Sequence, residues 1–463
     1  MTPPRERTSE EVPVRGSRRV AMVAAIVAAA AVALLAWPWI LAEQDRFSQK
    51  SYDHDRFHLP LVRTFAEQWP AVDLSDYPSA TGPGLHLALA TFAQVLGTGE
   101  TMLQWLGSLA AIGLAATVAW RLARWRGSAL EGTLLALPMC LSPYLLGNAI
   151  WLMTDNLSLW LLAAAILGAV FSSATPRRLA GRGLLAAAAC VVRQINLWVL
   201  APIAVGGWLA ARSSDAGDAP ESRRWKVGTL LATAIACLPA LAVVGGFAWL
   251  WGGLTPPSFQ EYHAVSVQPA AVMYGLTLFA AYGAPLWLAV LVARAERGAV
   301  PRWFAVLASF GWAAFLIAGN SEAGLEVGRN GGWLWTLVSK TPSPGGVSVA
   351  LAIGSMIGVV LLVQLVSLAS ARGRLDAAIV ASAAMAAFLV AHAANKQLFQ
   401  RYFDPPVLLF LAIFAALAWP RGEDRAASGG RGVRTAWLVA LAAMAAMQLA
   451  FATVSLFAPL MRN

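Results

Sequence analysis

Long apolar runs alternate with short basic clusters along the whole chain. Runs such as residues 20–42 and 227–251 exceed the roughly 20 apolar residues that a helix needs to cross a bilayer. The basic clusters are Arg15, Arg18 and Arg19; Arg121, Arg124 and Arg126; Arg177, Arg178 and Arg182; Arg223, Arg224 and Lys226; Arg294, Arg297 and Arg302; Arg372 and Arg374; and the residues from Arg421 to Arg434. Because Lys and Arg collect on the cytoplasmic side of membrane proteins, we place all seven clusters there. Each segment between two clusters must then cross the bilayer and return.

The first apolar run could be a cleaved signal peptide or a permanent helix. Its 23 residues, 20–42, are more than the roughly 7–15 of a signal-peptide core. We therefore expect it to stay attached as the first transmembrane helix, with residues 1–19 as a basic cytoplasmic tail.

Two segments have less obvious paths. If both apolar runs between Gly84 and Arg121 crossed the membrane, Arg121 would face outward, so residues 85–96 are predicted to form an interfacial or re-entrant outer helix. Residues 184–210 are basic at both ends, with Arg193-Gln194-Ile195-Asn196 in the middle. An arginine at the bilayer centre costs at least about 2.5 kcal/mol. Two short helices meeting at an outer turn avoid that cost.

The pattern thus predicts an all-α polytopic transmembrane bundle of about 13 helices, with the N-terminus inside and the C-terminus outside. The predicted spans are residues 20–42, 102–121, 133–148, 157–173, two halves within 183–212, 227–251, 270–293, 303–318, 347–370, 377–392, 407–419 and 435–456. We divide the chain into a module at 20–212, which includes an outer loop at 43–101, and a second module at 213–463. The second module has outer loops at 252–269, 319–346 and 393–406.

Composition supports lipid as the solvent. The chain is 58% hydrophobic and only 13% charged, against roughly 25% charged residues in soluble domains. The net charge of +10 does not indicate nucleic-acid binding, because the basic residues lie between apolar runs as topological anchors. Cys140, Cys190 and Cys237 lie inside apolar segments without disulfide or zinc spacing, so we interpret them as small buried hydrophobic residues.

Candidate chemistry collects in four outer segments. They contain Asp53, His54, Asp55 and His58; Asp155; Arg193, Gln194 and Asn196; and Arg401 and Tyr402. The loops at 255–269 and 320–346 are candidates for a lid over them. Asp53 and Asp55 could act as general bases, since burial and nearby cations tune a carboxylate for proton transfer. They could equally form a solvated loop cluster, and His54, Asp55 and His58 could instead bind a metal.

The two outer arginines also have two interpretations each. An arginine between short apolar helices needs an anion, a carboxylate or a wet cavity, and the planar donor fork of Arg193 suits phosphate. The alternative is a structural ion pair with Asp155. Arg401, beside Tyr402 and near Asp404, is either a phosphate ligand or a surface charge at a helix mouth, and the second interpretation is stronger there than for Arg193.

Several short segments resemble the C-type membrane glycosyltransferases, and in detail the dolichyl-phosphate-glucose alpha-1,2-glucosyltransferase family. That family has an acidic pair followed by Phe-His, a hydrophobic residue and Pro, which is similar to His54-Asp55 and Phe57-His58-Leu59-Pro60 here. Its later segments are echoed by Thr81-Gly82-Pro83-Gly84-Leu85-His86, Thr154-Asp155, Arg193-Gln194-Ile195-Asn196-Leu197 and, more weakly, Gln400-Arg401-Tyr402-Phe403. His54 replaces the first acid of the pair, with Asp53 one place early. The C-terminal half departs from the family pattern.

The resemblance implies transfer of a hexose, with glucose favoured, from a polyprenyl-phosphate sugar to a glycan or glycolipid acceptor on the non-cytoplasmic face. Arg193 and Arg401 would bind the donor phosphate, and Asp55, supported by Asp53, would be the catalytic base. Supporting or acceptor-binding roles fall to His54, His58, Asp155, Gln194, Asn196 and Tyr402. Inversion by direct displacement needs no metal or other cofactor, because arginine can neutralise the leaving phosphate.

Two other classes of protein compete with this interpretation. A transporter or lipid flippase usually has repeated halves and binding residues on broken helices at the midplane. The chain shows no convincing repeat, and its polar residues gather on one side. A non-catalytic scaffold of a membrane complex is a weaker alternative.

Overall fold

The computed structural model describes residues 17–42, 52–213, 220–261, 267–295, 309, 312, 332–395, 397–421 and 431–458. Within these ranges the chain forms seventeen α-helices and no β-strand. The predicted fold class, an all-α bundle of membrane-spanning helices, is confirmed.

The helices, numbered in chain order, have the following bounds. They are α1 Arg18–Leu41, α2 Leu59–Gln68, α3 Gly84–Leu96, α4 Glu100–Arg126, α5 Ala129–Cys140, α6 Pro143–Ile150, α7 Asp155–Phe171, α8 Pro176–Val192, α9 Leu200–Ser213, α10 Pro220–Trp251, α11 Ala270–Gly283, α12 Leu286–Ala295, α13 Trp333–Val338, α14 Val349–Ser370, α15 Leu375–Ala393, α16 Gln400–Ala418 and α17 Arg431–Ala452. A π-helical turn, His54–His58, precedes α2, and a 3-10 segment, Gln194–Val199, lies between α8 and α9.

By length and composition, eight helical segments of the described residues can cross a membrane, or ten if each of two bent pairs is one span. The sequence predicted about 13 spans. The difference lies in three of them: α7 and α8 have only 17 residues each, and residues 303–318 fall almost entirely outside the described ranges. The predicted short outer helix is present as α3, whose 13 residues end at Gly97, and its depth in the membrane stays a prediction.

Two pairs of consecutive apolar helices are separated by sharp bends. The α5–α6 pair bends by 72° at Leu141 and Ser142, and the α11–α12 pair bends by 71° before Leu286. Pro143 and Pro285 lack the N–H that would continue each helix. Ser142 caps α6, because its Oγ accepts hydrogen bonds from the backbone N–H groups of Tyr144 and Leu145.

The predicted break around Arg193 is confirmed. Helix α8 ends at Val192, and Arg193 has extended backbone angles before the 3-10 segment begins. Asn196 fills part of the gap, since its Nδ2 donates to the Ala189 carbonyl at 2.8 Å and to Ser158 Oγ at 2.7 Å. The break therefore places Arg193 at the end of a helix rather than within one.

Small residues allow the helices to pack closely. The buried face of α1 consists of Ala21, Ala24, Ala28, Val32, Ala36 and Ile40, spaced three or four residues apart. Gly183 of α8 contacts the backbone of Ala236 so closely that a β-carbon would clash with its carbonyl oxygen. Helices can therefore approach backbone to backbone without a hydrophobic force between them.

Candidate active site

The loop before α2 turns two acidic side chains in different directions. Leu59 donates its N–H to the His54 carbonyl, the five-residue step of a π-helix. Asp53 contacts Arg401, with its Oδ2 2.6 Å from Nη1. Asp55 lies instead near His54, 3.8 Å from Nε2, with 39% of its side chain exposed. The two carboxylates are thus held in separate environments.

Arg401 in the first turn of α16 joins this loop to the rest of the site. Its Nη2 donates to the Tyr402 hydroxyl at 3.2 Å, and only 13% of its side chain is exposed. Its Nε is buried and has no hydrogen-bond acceptor among the described residues. The guanidinium is therefore bound on one edge and retains a donor for a further oxygen.

Arg193 lies close to the same aromatic ring. It forms an ion pair with Asp155, at the start of α7, and its guanidinium carbon is 4.5 Å from the centre of the Tyr402 ring. The guanidinium carbon of Arg401 is 5.1 Å from the same centre. Tyr402 thus gathers two cations by cation–π attraction, each matched by one aspartate.

A small open cavity of about 40 Å³ lies beside these cations. It is lined by Asp155, Asn156, Ser158, Leu159, Leu162, Arg193, Ile195, Asn196, Trp198, Phe388, His392, Arg401, Tyr402, Pro405 and Pro406. The charged members belong to the site just described, while the leucine, proline and aromatic members form an apolar wall. A cavity with cations on one part of its lining and an apolar remainder suits an amphipathic anion.

His392 was not among the residues expected in this site. Its Nδ1 lies 2.9 Å from the Phe388 carbonyl, which can only accept, so Nδ1 carries the proton. The opposite nitrogen, Nε2, is then a hydrogen-bond acceptor. A lone histidine at the end of a predicted span carries no sequence signal that would distinguish it from a packed core residue.

Glu100 is a second residue that the sequence did not suggest. His54 accepts a hydrogen bond at Nδ1 from the Leu152 N–H, so its proton lies on Nε2, 3.2 Å from Glu100 Oε1. Asp55 and Glu100 therefore both lie near one imidazole N–H. Glu100 is the first residue of α4 and follows Gly97-Thr98-Gly99. An acidic residue is common at the start of a helix, so the sequence did not mark Glu100 as a site residue.

The structure replaces one of the candidate metal ligands in this loop and also provides a reason against metal binding there. The ligand atoms that converge within 4.8 Å belong to His54, Asp55 and Glu100, and not to His54, Asp55 and His58 as the spacing suggested. A metal would need the lone pair of His54 Nε2, yet the Leu152 N–H already occupies Nδ1 and leaves the proton on Nε2. These contacts disfavour a metal on His54.

His58 is buried away from the carboxylates. Its Nδ1 lies 2.9 Å from His86 Nε2, and the two rings stack. Burial lowers the pKa of His58 well below its ordinary value, and the neighbouring His86 and Arg401 lower this pKa further. His58 is therefore neutral and packs the loop rather than carrying charge.

The predicted site residues thus separate into groups. Asp53, Asp155, Arg193, Arg401 and Tyr402 come together, and Asn196 lines the adjoining cavity. Asp55 and His54 face Glu100, and His58 faces His86. Gln194 is buried outside the cavity lining, with no hydrogen-bond partner for its Nε2 among the described residues.

Where they are described, the candidate lid loops contact segments that neighbour this site. Ser258 Oγ donates to Asp76 Oδ1 at 2.8 Å, and the Phe259 ring lies 5.7 Å from that of Phe57. Trp335 of α13 donates from Nε1 to the Leu398 carbonyl at 2.6 Å, just before α16. Residues 262–266 and 319–331 lie outside the described ranges, so a lid movement stays a prediction.

Neither a family model nor a curated protein matches this chain. Among solved structures, it is similar to ArnT from Cupriavidus metallidurans in the apo state and to the same protein bound to undecaprenyl phosphate. Each comparison has 15% sequence identity and a TM-score of 0.38, and covers 92% of this chain and 77% of ArnT. A similarity of this size carries no argument about function, which is therefore inferred from the geometry of the site.

Proposed function

We propose that this protein is an integral membrane glycosyltransferase of the C-type superfamily. It transfers a hexose, with glucose favoured, from a polyprenyl-phosphate sugar to a lipid-linked or cell-envelope glycan on the non-cytoplasmic face. The observation that carries the proposal is the pairing of Arg193 and Arg401 around Tyr402, beside a partly apolar cavity and next to the acidic first loop. A polyprenyl phosphate has the same division into an anionic head and an apolar tail.

The two arginines act on the leaving group. The donor phosphate carries one negative charge as a diester and gains a second when its bond to the sugar breaks. Donors already in place stabilise that new charge without reorganisation. Each guanidinium has five N–H donors, so pairing with an aspartate leaves some of them for phosphate oxygens.

Asp55 acts as the general base in this proposal. It removes the proton from the acceptor hydroxyl as that oxygen forms a bond to the anomeric carbon, and polyprenyl phosphate departs from the opposite face with inversion. One difference in exposure and one contact favour Asp55 over Asp53. Asp55 is the more exposed of the two, and Asp53 is engaged by Arg401. Asp53 then positions Arg401 for the phosphate.

A transfer assay tests this function directly. The purified protein in proteoliposomes receives synthetic polyprenyl-phosphate glucose, mannose or arabinose together with extracted cell-envelope glycolipids. We expect labelled sugar in the glycolipid fraction and release of polyprenyl phosphate, most rapidly from the glucose donor. Arg193→Ala serves as the inactive control. Absence of transfer from all three donors would contradict the proposal.

One observation favours a transporter or lipid flippase as a second candidate. Asp404 is fully buried in α16 and accepts hydrogen bonds from Ser142 Oγ at 2.5 Å and from the Tyr282 hydroxyl. Ser142 and Tyr282 lie at the bends of the two broken helix pairs. Buried carboxylates on broken helices are common in transporters. Movement of fluorescent polyprenyl phosphate across proteoliposomes, without any transfer, would support this candidate.

A further inference from the structure

Three arginines meet at the end of the bundle that the positive-inside rule places in the cytoplasm. Arg121 lies in the last turns of α4, and Arg178 and Arg182 lie in the first turns of α8. We call them the arginine triad. Arg178 donates to Ser173 Oγ and Arg182 donates to the Ser173 carbonyl, so these two side chains meet at the end of α7. The charges of Arg124 and Arg178 act on Arg121, and those of Arg178 and Arg121 act on Arg182. Three mutually repelling cations need a counter-charge to be stable together.

Arg182 is the buried member of the triad, with 4% of its surface exposed. Its Nη2 donates to the carbonyls of Ser172 and Ser173 at 2.9 Å, and its side chain packs against Gly168. Its Nη1 has no acceptor among the described residues. Backbone dipoles thus bind one edge of the guanidinium, while the full charge is removed from water without an acid beside it.

A second group of arginines at the same end of the bundle has its positive charge balanced by a carboxylate. Arg126 donates from Nε to Glu131 Oε2 at 3.0 Å and from Nη1 to the Trp419 carbonyl at 2.8 Å. Arg434 also pairs with Glu131, at 3.3 Å. No carboxylate of the described residues pairs with a member of the triad. The positive-inside rule accounts for the presence of arginine here but not for this difference.

We infer that the arginine triad binds the phosphate of an anionic phospholipid headgroup in the adjoining leaflet. Arg121 and Arg178 are exposed and can receive the phosphate, while Arg182 behind them supplies a poorly hydrated charge. Basic sites between transmembrane helices on the cytoplasmic side bind lipid headgroups in this way, because that leaflet carries anionic lipids. The inference does not depend on glycosyl transfer, since Arg193 and Arg401 belong to a different cluster.

Native mass spectrometry of the full-length protein in detergent tests this site. The protein is titrated with palmitoyl-oleoyl phosphatidylglycerol, with the matching phosphatidylcholine, and with inorganic phosphate alone. Arg121→Gln combined with Arg178→Gln removes two exposed charges of the triad. Arg18→Gln combined with Arg19→Gln removes two exposed charges at the start of α1 and is the matched control. Thermal unfolding in detergent without added lipid checks that both variants fold.

We expect the wild type to retain phosphatidylglycerol in preference to phosphatidylcholine. The triad variant should bind phosphatidylglycerol at least about tenfold more weakly, as expected from the loss of charge-assisted contacts, while the control pair leaves binding unchanged. Equal retention of both lipids, or an equal loss in both variants, overturns the inference. Binding of inorganic phosphate that equals that of phosphatidylglycerol and depends on the triad would assign the site to a soluble phosphate instead of a lipid.

Discussion

Arg401 Nη1 lies 2.6 Å from Asp53 Oδ2, although 348 positions separate the two residues in the sequence. This ion pair joins the loop before α2 to the start of α16. Through Tyr402, it also brings the loop close to Arg193 and Asp155. Four separate parts of the chain therefore contribute to one charged cluster.

The first prediction distinguishes the catalytic role of Asp55 from the supporting role of Asp53. Asp55→Asn keeps size and hydrogen bonding but cannot take a proton, so the transfer rate at saturating donor should fall by roughly 10²–10⁴-fold. Asp53→Asn should retain much more of the turnover and show a weaker donor affinity, because it acts through Arg401. Near-normal turnover by Asp55→Asn beside an inactive Asp53→Asn would reverse the two roles. Near-normal turnover by both would remove the loop from the chemistry.

The second prediction concerns Arg193 as a phosphate ligand. Arg193→Lys keeps the charge but loses the planar fork, so we expect the apparent donor affinity to fall by about tenfold or more with an unchanged fold. Titration of polyprenyl phosphate against thermal stability measures this affinity without requiring transfer. Unchanged affinity in Arg193→Ala would show that the residue only pairs with Asp155.

The third prediction tests how the first loop supports the break before Arg193. A β-carbon on Gly82 would clash with the Val191 carbonyl oxygen, and Gly84 packs against the Val192 side chain. Gly82→Ala should therefore lower the unfolding temperature and the donor affinity together, since either the loop or the helix end must move. Gly99→Ala is the matched control, because its β-carbon would meet no atom within 4 Å. Equal behaviour of the two variants would contradict this contact.

The fourth prediction follows from the neutral state of His58. Its pKa in the folded protein is lowered by burial and then by His86 and Arg401, whereas the unfolded chain binds a proton below about pH 6.5. The stability that His58 contributes is thus fully present above pH 6.5 and is lost as the pH falls, by up to about 1.4 kcal/mol per pH unit. Unfolding of wild type and His58→Gln, compared between pH 7.5 and 5.5, measures this. The variant should show the smaller loss, and parallel losses would refute the assignment.

The fifth prediction tests the side on which the first loop lies. Ser75 is exposed, and its backbone N–H donates to Asp73, a contact that Ser75→Cys retains. An impermeant thiol reagent should label this cysteine on intact cells. The background is a chain with Cys237→Ala, because Cys237 is the half-buried native cysteine, whereas Cys140 and Cys190 are buried. Labelling only after lysis would show that the loop lies on the cytoplasmic side, opposite to the predicted topology.

The sequence alone was sufficient for the class of fold and for most helix positions. The length of an apolar run and the placement of arginines are local properties, and lipid constrains both strongly. The break at Arg193 followed from the same argument, because a helix through that residue would have buried a charge at the bilayer centre. The number of spans stays a prediction, since α7 and α8 have 17 residues each, close to the minimum length for crossing, and residues 303–318 fall almost entirely outside the described ranges.

The arrangement of the charged cluster was decided only by tertiary structure. The sequence raised an ion pair between Arg193 and Asp155 as one of two interpretations. For Arg401 it left open a surface charge at a helix mouth, whereas this side chain is largely buried against Asp53. It also assigned Asp53 to support Asp55, but it did not show that the π-helical turn directs Asp53 toward Arg401 and Asp55 toward His54 and Glu100. Such contacts depend on how distant helices pack and on the direction of each side chain. Neither is encoded in the spacing of residues within a single segment, whereas hydrophobic periodicity is.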